Sequence, residues 1–155
     1  MRLLFVCTGN ICRSPTADAV ARSRLAAVGL DWIVDSAGTS GWHAGEAPDE
    51  RATAAAAARG HDLSVLSARE IDPADLGRFD QIIAMDRSHL RFLRRMPGAD
   101  RGARVSLMMD WAGEAGVDVP DPYYGGDDGF VRVLDMIERA VDGLIASLQG
   151  DQSRG

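Results

Sequence analysis

The opening stretch of the chain decides its fold: residues 2–15 read RLLFVCTGNICRSP. The run RLLFV is largely apolar and is typical of a buried strand. A loop containing Gly9 and Asn10 follows, and then Ser14 and Pro15 stand where a helix can begin, with Ser14 as the predicted N-cap. A strand that passes through a short loop into a helix is the repeating unit of a parallel α/β sheet.

Strand-like and helix-like segments alternate along the rest of the chain. Strands are predicted at residues 2–6, 31–35, 79–85 and 103–108, and helices at 15–28, 49–59, 86–95 and 130–149, with Gly150 ending the last helix. This alternation predicts an α/β fold in a single domain over residues 1–150: a four-stranded parallel sheet with helices on both faces. Residues 151–155 are expected to form a disordered tail.

Composition and charge exclude several classes of function. The 155 residues carry a net charge of −6, which disfavours a nucleic-acid or membrane partner held by a broad basic face. All 17 basic residues are arginine, so a Walker-type nucleotide loop and a lysine Schiff base are excluded. No apolar run approaches the roughly 20 residues of a membrane span, and no targeting segment is recognised. Two cysteines do not make a secreted disulfide framework, so a cytoplasmic location is expected.

The spacing of Cys7 and Arg13 suits a phosphate site. A thiol reacts efficiently only as a thiolate, and a helix N-terminus favours an anion by only about 0.3–1 kcal/mol. Arg13, the loop N–H groups and a hydroxyl such as that of Ser14 are therefore expected to contribute more. Gly9 and Asn10 tolerate the left-handed backbone angles that turn successive N–H groups towards one anion. The pattern favours a metal-independent site in which a thiolate lies beneath a bound phosphorus.

A cysteine, five residues and an arginine also occur by chance, and a buried structural cysteine after a strand is commoner than a catalytic one. The conjunction of strand, Gly9, Asn10, Arg13, Ser14 and Pro15 makes the catalytic interpretation the stronger one.

VCTGNICRSPTA at residues 6–17 closely resembles the signature of the low-molecular-weight protein tyrosine phosphatases. DSAGTSGWHAGEAPDERA at 35–52 and DPYYGG at 121–126 resemble two further motifs of that family, in the same order and at similar separations. The resemblance implies a flavodoxin- or Rossmann-like fold of the phosphatase I-like type. It also implies metal-independent and cofactor-free hydrolysis of protein phosphotyrosine, with inorganic phosphate as the product.

The resemblance assigns a role to each motif residue. It implies that Cys7 is the nucleophile, Arg13 the phosphate clamp and Asp121 the general acid and later the base. Phosphate-binding and loop-supporting roles fall to Thr8, Gly9, Asn10, Ile11, Cys12, Ser14 and Ser36, with Ser36 anchoring Asn10. Alone, Asp121 between two prolines is typical of a turn, Ser14 of a helix cap and Ser36 of an ordinary loop hydroxyl.

Aromatic residues are expected to wall the pocket. The resemblance implies a deep entrance that admits phosphotyrosine and excludes the shorter phosphoserine. Its walls would come from Ile11, Trp42, His43, Tyr123 and Tyr124, although a loop pair of tyrosines is also typical of simple packing.

The second cysteine and the remaining polar residues have less specific interpretations. Cys12 is either a small buried residue or, as the resemblance implies, a redox partner that forms a disulfide with Cys7. Asp86 is expected to cap a helix and is a candidate partner of the phosphate loop, while His61 and His89 are interpreted as structural. No His, Cys and Asp spacing matches a metal site. A monomer is expected, with a weak dimer as the alternative.

Three alternative functions can be weighed against features of the sequence. Thioredoxin-coupled arsenate reductases share the opening loop but need cysteines further along the chain, and none follows Cys12. Protein arginine phosphatases typically have threonine where this chain has Ile11. A non-catalytic phosphate-binding module would have lost Cys7, Arg13 or Asp121, all of which are present.

Overall fold

The structure, a computed structural model, describes residues 1–100, 102–123 and 125–154. Four strands, all paired in parallel in the order β2-β1-β3-β4, form one sheet: β1 (Arg2–Cys7), β2 (Ile33–Gly38), β3 (Gln81–Ala84) and β4 (Arg104–Leu107). The helices are α1 (Arg13–Ala27), α2 (Glu50–Ala57), α3 (Asp75–Arg78), α4 (Arg87–Arg95) and α5 (Asp127–Arg154), with a 3₁₀ turn at Met108–Ala112. The predicted α/β fold with a four-stranded parallel sheet is confirmed. The short α3 and the 3₁₀ turn were not predicted.

The first strand lies inside the sheet and packs on both of its faces. Leu3, Phe5 and Cys7 belong to the core formed with α1 and α5. Leu4 and Val6 belong to the core on the other face, with α3 and α4. Helices therefore cover both faces, which explains why β1 is an apolar run without alternating polar residues.

The strand order reverses beside β1. The chain crosses from β1 to β2 on one side and then returns to β3 on the other. In open α/β sheets a crevice forms at the carboxyl ends of the strands where the order reverses. The loop after β1 and Asp86, which follows β3, both lie at this edge.

The second strand lies later in the chain than predicted. It covers Ile33–Gly38 because residues 36–38, which lie beyond the predicted end at residue 35, pair with residues 5–7 of β1. Gly38 is required there, since a Cβ at this position would lie 2.5 Å from the carbonyl oxygen of Thr8. Tertiary pairing has overridden local propensity at this strand.

The predicted start of α1 and the predicted end of α5 are wrong. Helix α1 begins at Arg13 with Cys12 as its N-cap, so Ser14 lies inside the first turn and its hydroxyl is used elsewhere. Helix α5 passes through Gly150, and residues 151–154 of the expected tail belong to it. A glycine inside a helix costs about 1 kcal/mol but does not end it unless the backbone turns left-handed, and Gly150 does not.

Within the described ranges, no helix is long and apolar enough to cross a lipid bilayer.

Candidate active site

The loop between β1 and α1 is shaped by one asparagine. Asn10 has a φ of 57° and is the one non-glycine residue with a left-handed backbone among those described. Its side-chain amide donates to the hydroxyls of Ser14 at 2.7 Å and Ser36 at 3.0 Å, and its carbonyl oxygen accepts the Arg69 N–H at 3.0 Å. The expected contact with Ser36 is present, whereas Arg69 was not foreseen. These three bonds hold a conformation that would otherwise be strained.

The thiol at the end of β1 has a directed hydrogen-bond partner. The Cys7 Sγ lies 2.9 Å from the Ser14 Oγ, and both residues are buried. The Ser14 oxygen accepts from the Asn10 amide, and its single hydrogen has two acceptors within reach, the sulfur at 2.9 Å and the Ala37 carbonyl oxygen at 3.4 Å. The shorter contact favours donation to the sulfur. The Ser14 side chain therefore places a hydrogen-bond donor next to the sulfur at the first turn of α1.

Arg13 is fixed behind the loop by one edge of its guanidinium. Its Nη1 donates to the Asp86 Oδ2 at 2.8 Å and to the Val119 carbonyl at 2.9 Å, and the residue is only 4% exposed. Burial raises the pKa of Asp86, but hydrogen bonds from Ser88 and Arg13 outweigh it and lower that pKa to about 2. Asp86 also caps α4, as predicted. Among described residues, Nε and Nη2 make no hydrogen bond, which leaves the other edge for two phosphoryl oxygens.

His89 connects α4 with the loop. Its Nδ1 accepts the Asp86 N–H at 3.2 Å, and its Nε2 lies 2.8 Å from the Thr8 Oγ1. Burial lowers the pKa of His89 to about 4, so the ring is neutral at pH 7. A neutral ring that accepts at Nδ1 carries its hydrogen on Nε2, which therefore donates to Thr8. His61, by contrast, has the expected structural role, since it bridges Ser23 and Glu138.

Replacing His89 by asparagine is expected to make the free energy of unfolding fall less as the pH is lowered. The folded-state pKa of about 4 lies below the ordinary 6.5, so the unfolded chain binds the extra proton between these values. The wild type therefore loses stability as pH falls from 6.5 through 4, by on the order of 2–3 kcal/mol. Asparagine does not titrate, yet it can still accept the Asp86 N–H.

Urea unfolding of both proteins at neutral pH and near pH 4 measures this difference. Asp86 contributes little there, because the stability that comes from its lowered pKa is lost only below its ordinary value of 3.8, as the pH falls towards about 2. A His89→Asn protein that lost as much stability as the wild type over this range would contradict the assignment.

A cavity of about 410 Å³ opens above the sulfur. Most of the predicted site residues line it, together with one that was missed, Ser40: the lining is Cys7, Thr8, Gly9, Ile11, Cys12, Arg13, Ser40, Trp42, His43, Asp121 and Tyr123. Asn10, Ser14 and Ser36 lie behind this lining, where they support the loop. Tyr124 lies outside the described residues.

Asp121 lies on the cavity wall opposite the loop. Its side chain is 47% exposed, with Oδ2 at 3.8 Å from the Arg13 Nη2 and Oδ1 accepting the Tyr123 N–H at 3.0 Å. The segment is attached to α2 by Arg51, which donates to the carbonyl oxygens of Tyr123 at 2.9 Å and Gly125 at 3.3 Å. The Arg51 guanidinium also stacks on Phe130 at 4.6 Å. This anchor was not predicted.

The outer wall of the cavity is aromatic and exposed. Trp42 is 85% and Tyr123 39% exposed, and both line the cavity. His43 forms a hydrogen bond with Glu46 and packs against the loop, where a Cβ at Gly9 would lie 2.9 Å from its ring. A larger residue at position 9 would therefore displace this histidine.

Cys12 remains a thiol at neutral pH. Burial, followed by the charges of Asp49 and Cys7, raises its pKa to about 12. Both cysteines are free in this structure. Across the described ranges, no group of three or more His, Cys, Asp and Glu side chains is arranged to bind a metal ion.

Comparison with known proteins agrees with this geometry. The family model for low molecular weight phosphotyrosine protein phosphatase matches residues 2–154. A low molecular weight protein-tyrosine-phosphatase of Streptomyces coelicolor is 46% identical over 154 residues, 96% of this chain and 93% of the relative. The crystal structure of a protein tyrosine phosphatase from Entamoeba histolytica, with Hepes in its active site, has a TM-score of 0.88 at 38% identity and covers 98% of this chain and 99% of that one. The Drosophila arginine phosphatase has a TM-score of 0.87 at 30% identity, covering 96% and 98%.

The opening loop, the site at the carboxyl end of β1 and these matches along nearly the whole chain agree. The chain belongs to the low-molecular-weight phosphotyrosine protein phosphatases, a family of cysteine-based enzymes.

Proposed function

We propose that this protein hydrolyses phosphotyrosine in proteins through a phosphocysteine intermediate. The observation that carries the proposal is the convergence of Cys7, Arg13 and Asp121 on one cavity, with the Ser14 hydroxyl 2.9 Å from the sulfur. A nucleophile, an anion clamp and a proton donor in one cavity are the parts that phosphoryl transfer needs when no metal takes part.

Substrate binding uses the loop and the free edge of Arg13. Asp86 and Val119 hold Nη1, so the Nε and Nη2 hydrogens of Arg13 are directed to two oxygens of the phosphoryl group. Loop N–H groups donate to the remaining oxygens. Because Arg13 is buried and already oriented, little reorganisation is needed as charge develops in the transition state.

In the first step the thiolate of Cys7 attacks phosphorus as the bond to the tyrosyl oxygen breaks. Asp121, in its protonated form, gives its proton to the departing oxygen, which leaves as neutral tyrosine. The Ser14 hydroxyl stabilises the thiolate before attack. The product of the step is a phosphoryl group on Cys7.

In the second step water displaces the sulfur. The Asp121 carboxylate accepts a proton from the attacking water, the S–P bond breaks, and Cys7 is regenerated as a thiolate with release of inorganic phosphate. One carboxyl group thus serves both steps, and its partly exposed position leaves room for tyrosine and then for water.

Phosphotyrosine is the preferred substrate in this proposal because the cavity wall is apolar and aromatic. Ile11, Trp42 and Tyr123 line it and would contact both faces of a phenyl ring, with His43 on the loop side. Hydrolysis of phosphoarginine is the second candidate, favoured by the similarity to the Drosophila arginine phosphatase. Ile11 favours the first, because a polar residue there would suit a guanidinium better.

Kinetics on three substrates test the proposal. Without added metal, the protein is expected to hydrolyse a phosphotyrosine peptide and para-nitrophenyl phosphate, with a much lower kcat/KM for a phosphoarginine peptide and no arsenate reduction. A higher kcat/KM for phosphoarginine would assign the second function. No turnover of any phosphate ester would leave only phosphate binding and contradict an enzyme.

Cys12 is proposed to protect the nucleophile from oxidation. Peroxide converts the Cys7 thiolate to a sulfenic acid, the Cys12 thiol then condenses with it, and a disulfide and water form. Wild-type protein inactivated by peroxide is expected to recover fully with dithiothreitol, whereas a Cys12→Ser variant recovers only in part because its sulfenic acid is oxidised further. Equal recovery of the two proteins would contradict this role.

A cytoplasmic location is proposed, because a reducing compartment keeps the Cys7 sulfur reduced. The protein is proposed to act as a monomer.

A further inference from the structure

A basic segment follows β3 in an otherwise acidic chain. Residues 87–104 contain six arginines and one acidic residue, which gives the segment a net charge of +5. The other residues of the chain together carry a net charge of −11, so the total is −6. Helix α4 (Arg87–Arg95) accounts for four of these arginines. Most of the positive charge of this segment therefore lies on α4.

Most of the arginines of α4 are not used by the fold. Arg87 pairs with Asp118 at 3.2 Å. Arg91, Arg94 and Arg95 are exposed, and within the described part of the chain they have no hydrogen-bond or ion-pair partner. Each guanidinium can therefore bind a carboxylate of another molecule without breaking a contact of this one.

Two of these arginines border a groove. The groove has a volume of about 490 Å³ and is lined by Ser88, Arg91, Phe92, Arg95, Met96 and Pro97. The Phe92 ring is 41% exposed, although large apolar side chains are usually buried. An apolar floor between two cationic side chains suits a peptide that alternates acidic and apolar residues.

Hydrogen bonds connect one end of the groove with the active site. Ser88 at its near end donates to one carboxylate oxygen of Asp86, and Arg13 donates to the other. On the next residue of α4, His89 bonds to Thr8, which lines the active-site cavity. At 1.5 Å per helical residue, Arg91 and Arg95 lie about 4.5 and 10 Å beyond Ser88. An extended peptide advances about 3.3 Å per residue, so Arg91 and Arg95 lie roughly one and three peptide residues beyond Ser88.

We propose that the α4 groove binds acidic residues that flank the phosphotyrosine of the substrate on one side. The proposal rests on the function above and adds the substrate class: phosphotyrosine in an acidic segment. The fork of each guanidinium binds one carboxylate, and Phe92 contacts an apolar side chain between them. Exposed ion pairs are weak singly, and two of them together with this contact change affinity by about tenfold.

Kinetics on matched peptides test the groove. Two phosphotyrosine peptides of equal length, one with Asp and Glu flanks and one with Asn and Gln, are compared with para-nitrophenyl phosphate. In the wild type, kcat/KM is expected to be about tenfold higher for the acidic peptide than for the neutral one, through KM. An Arg91→Glu/Arg95→Glu double variant loses this preference and keeps its kcat/KM on para-nitrophenyl phosphate, which is too small to reach the groove.

The matched control is an Arg132→Glu/Arg139→Glu double variant, which changes the net charge equally on the exposed face of α5. It is expected to keep the preference for acidic flanks. Loss of the preference in both variants would show a general charge effect and overturn the groove. Equal kcat/KM for the two peptides in the wild type would also overturn it.

Two further outcomes separate the proposals. If the wild type hydrolyses none of the three substrates, the proposed function fails and the groove proposal fails with it. If the peptides are hydrolysed equally while phosphatidylserine vesicles bind the wild type and not the Arg91→Glu/Arg95→Glu variant, the groove is a lipid-binding surface and the acidic-peptide proposal is wrong.

Discussion

Replacing Cys7 by serine is expected to lower the rate of phosphotyrosine hydrolysis by roughly 10⁴-fold or more. The substitution changes one atom in the cavity lining and removes the thiol that the proposed first step uses as its nucleophile. A serine hydroxyl is a weak nucleophile without a general base, and its neighbour Ser14 is itself a hydroxyl that cannot act as one. The measurement is kcat on a phosphotyrosine peptide and on para-nitrophenyl phosphate.

The Cys7→Ser protein should still bind inorganic phosphate, because Arg13 and the loop amides are unchanged and Asn10 still fixes the loop. Calorimetric titration with phosphate therefore separates a lost nucleophile from a damaged site. The same substitution at Cys12, whose thiol stays protonated, is the matched control and should retain turnover. Comparable turnover by Cys7→Ser and wild type would rule out the phosphocysteine route.

Replacing Asp121 by asparagine is expected to slow poor substrates selectively, by roughly 10²–10⁴-fold. Asparagine has nearly the same shape and can still accept the Tyr123 N–H, but it cannot give a proton to the departing oxygen. Phenyl phosphate needs that proton because its leaving group, like tyrosine, has a pKa near 10. A 4-nitrophenolate leaves readily without it, so the effect on the first step is small for that ester.

Pre-steady-state kinetics on the two esters measure this difference, since they isolate the step in which the leaving group departs. Asp118→Asn makes the same chemical change three residues earlier in the chain, at a carboxylate that pairs with Arg87 outside the cavity, and should affect both esters little. An equal decrease for phenyl and nitrophenyl phosphate in Asp121→Asn would assign Asp121 to a purely electrostatic role.

The sequence predicted the fold and the phosphate loop because both are encoded by local, contiguous patterns. A strand, a Gly-Asn turn and a helix within residues 2–27 leave little freedom, and the position of Asp86 after a strand predicted both its cap and its nearness to the loop. Helix α2 likewise begins within one residue of its predicted start, with Asp49 as its N-cap. Local sequence patterns do not predict strand ends that depend on pairing with another strand. The last residues of β2 are an example, since they are in the sheet because they pair with β1.

The support around the site could not be predicted, because it is made of contacts between residues far apart in the chain. His89 reaches Thr8 across 81 positions, and Arg51 reaches Tyr123 across 72. No periodicity or spacing marks such pairs. Ser14 is instructive in another way: its type and position are typical of an N-cap, but its hydroxyl is occupied by Cys7 and Asn10. The basic segment was readable from charge, yet the whole-chain value of −6 concealed it.

The start of α2 forms hydrogen bonds both with the loop that follows Cys7 and with the segment that carries Asp121. The Asp49 N–H donates to the carbonyl oxygen of Ile11 in the nucleophile's loop at 2.8 Å, and Arg51 donates to Tyr123 beside the acid at 2.9 Å. The position of this short helix therefore sets the distance between the Cys7 sulfur and the Asp121 carboxylate. Ala56 of this helix is fully buried and packs in one apolar cluster with Cys12 and Phe130. A bulkier residue at position 56 would displace α2 and, through Arg51, the segment that carries Asp121, so a substitution outside the cavity can also abolish activity.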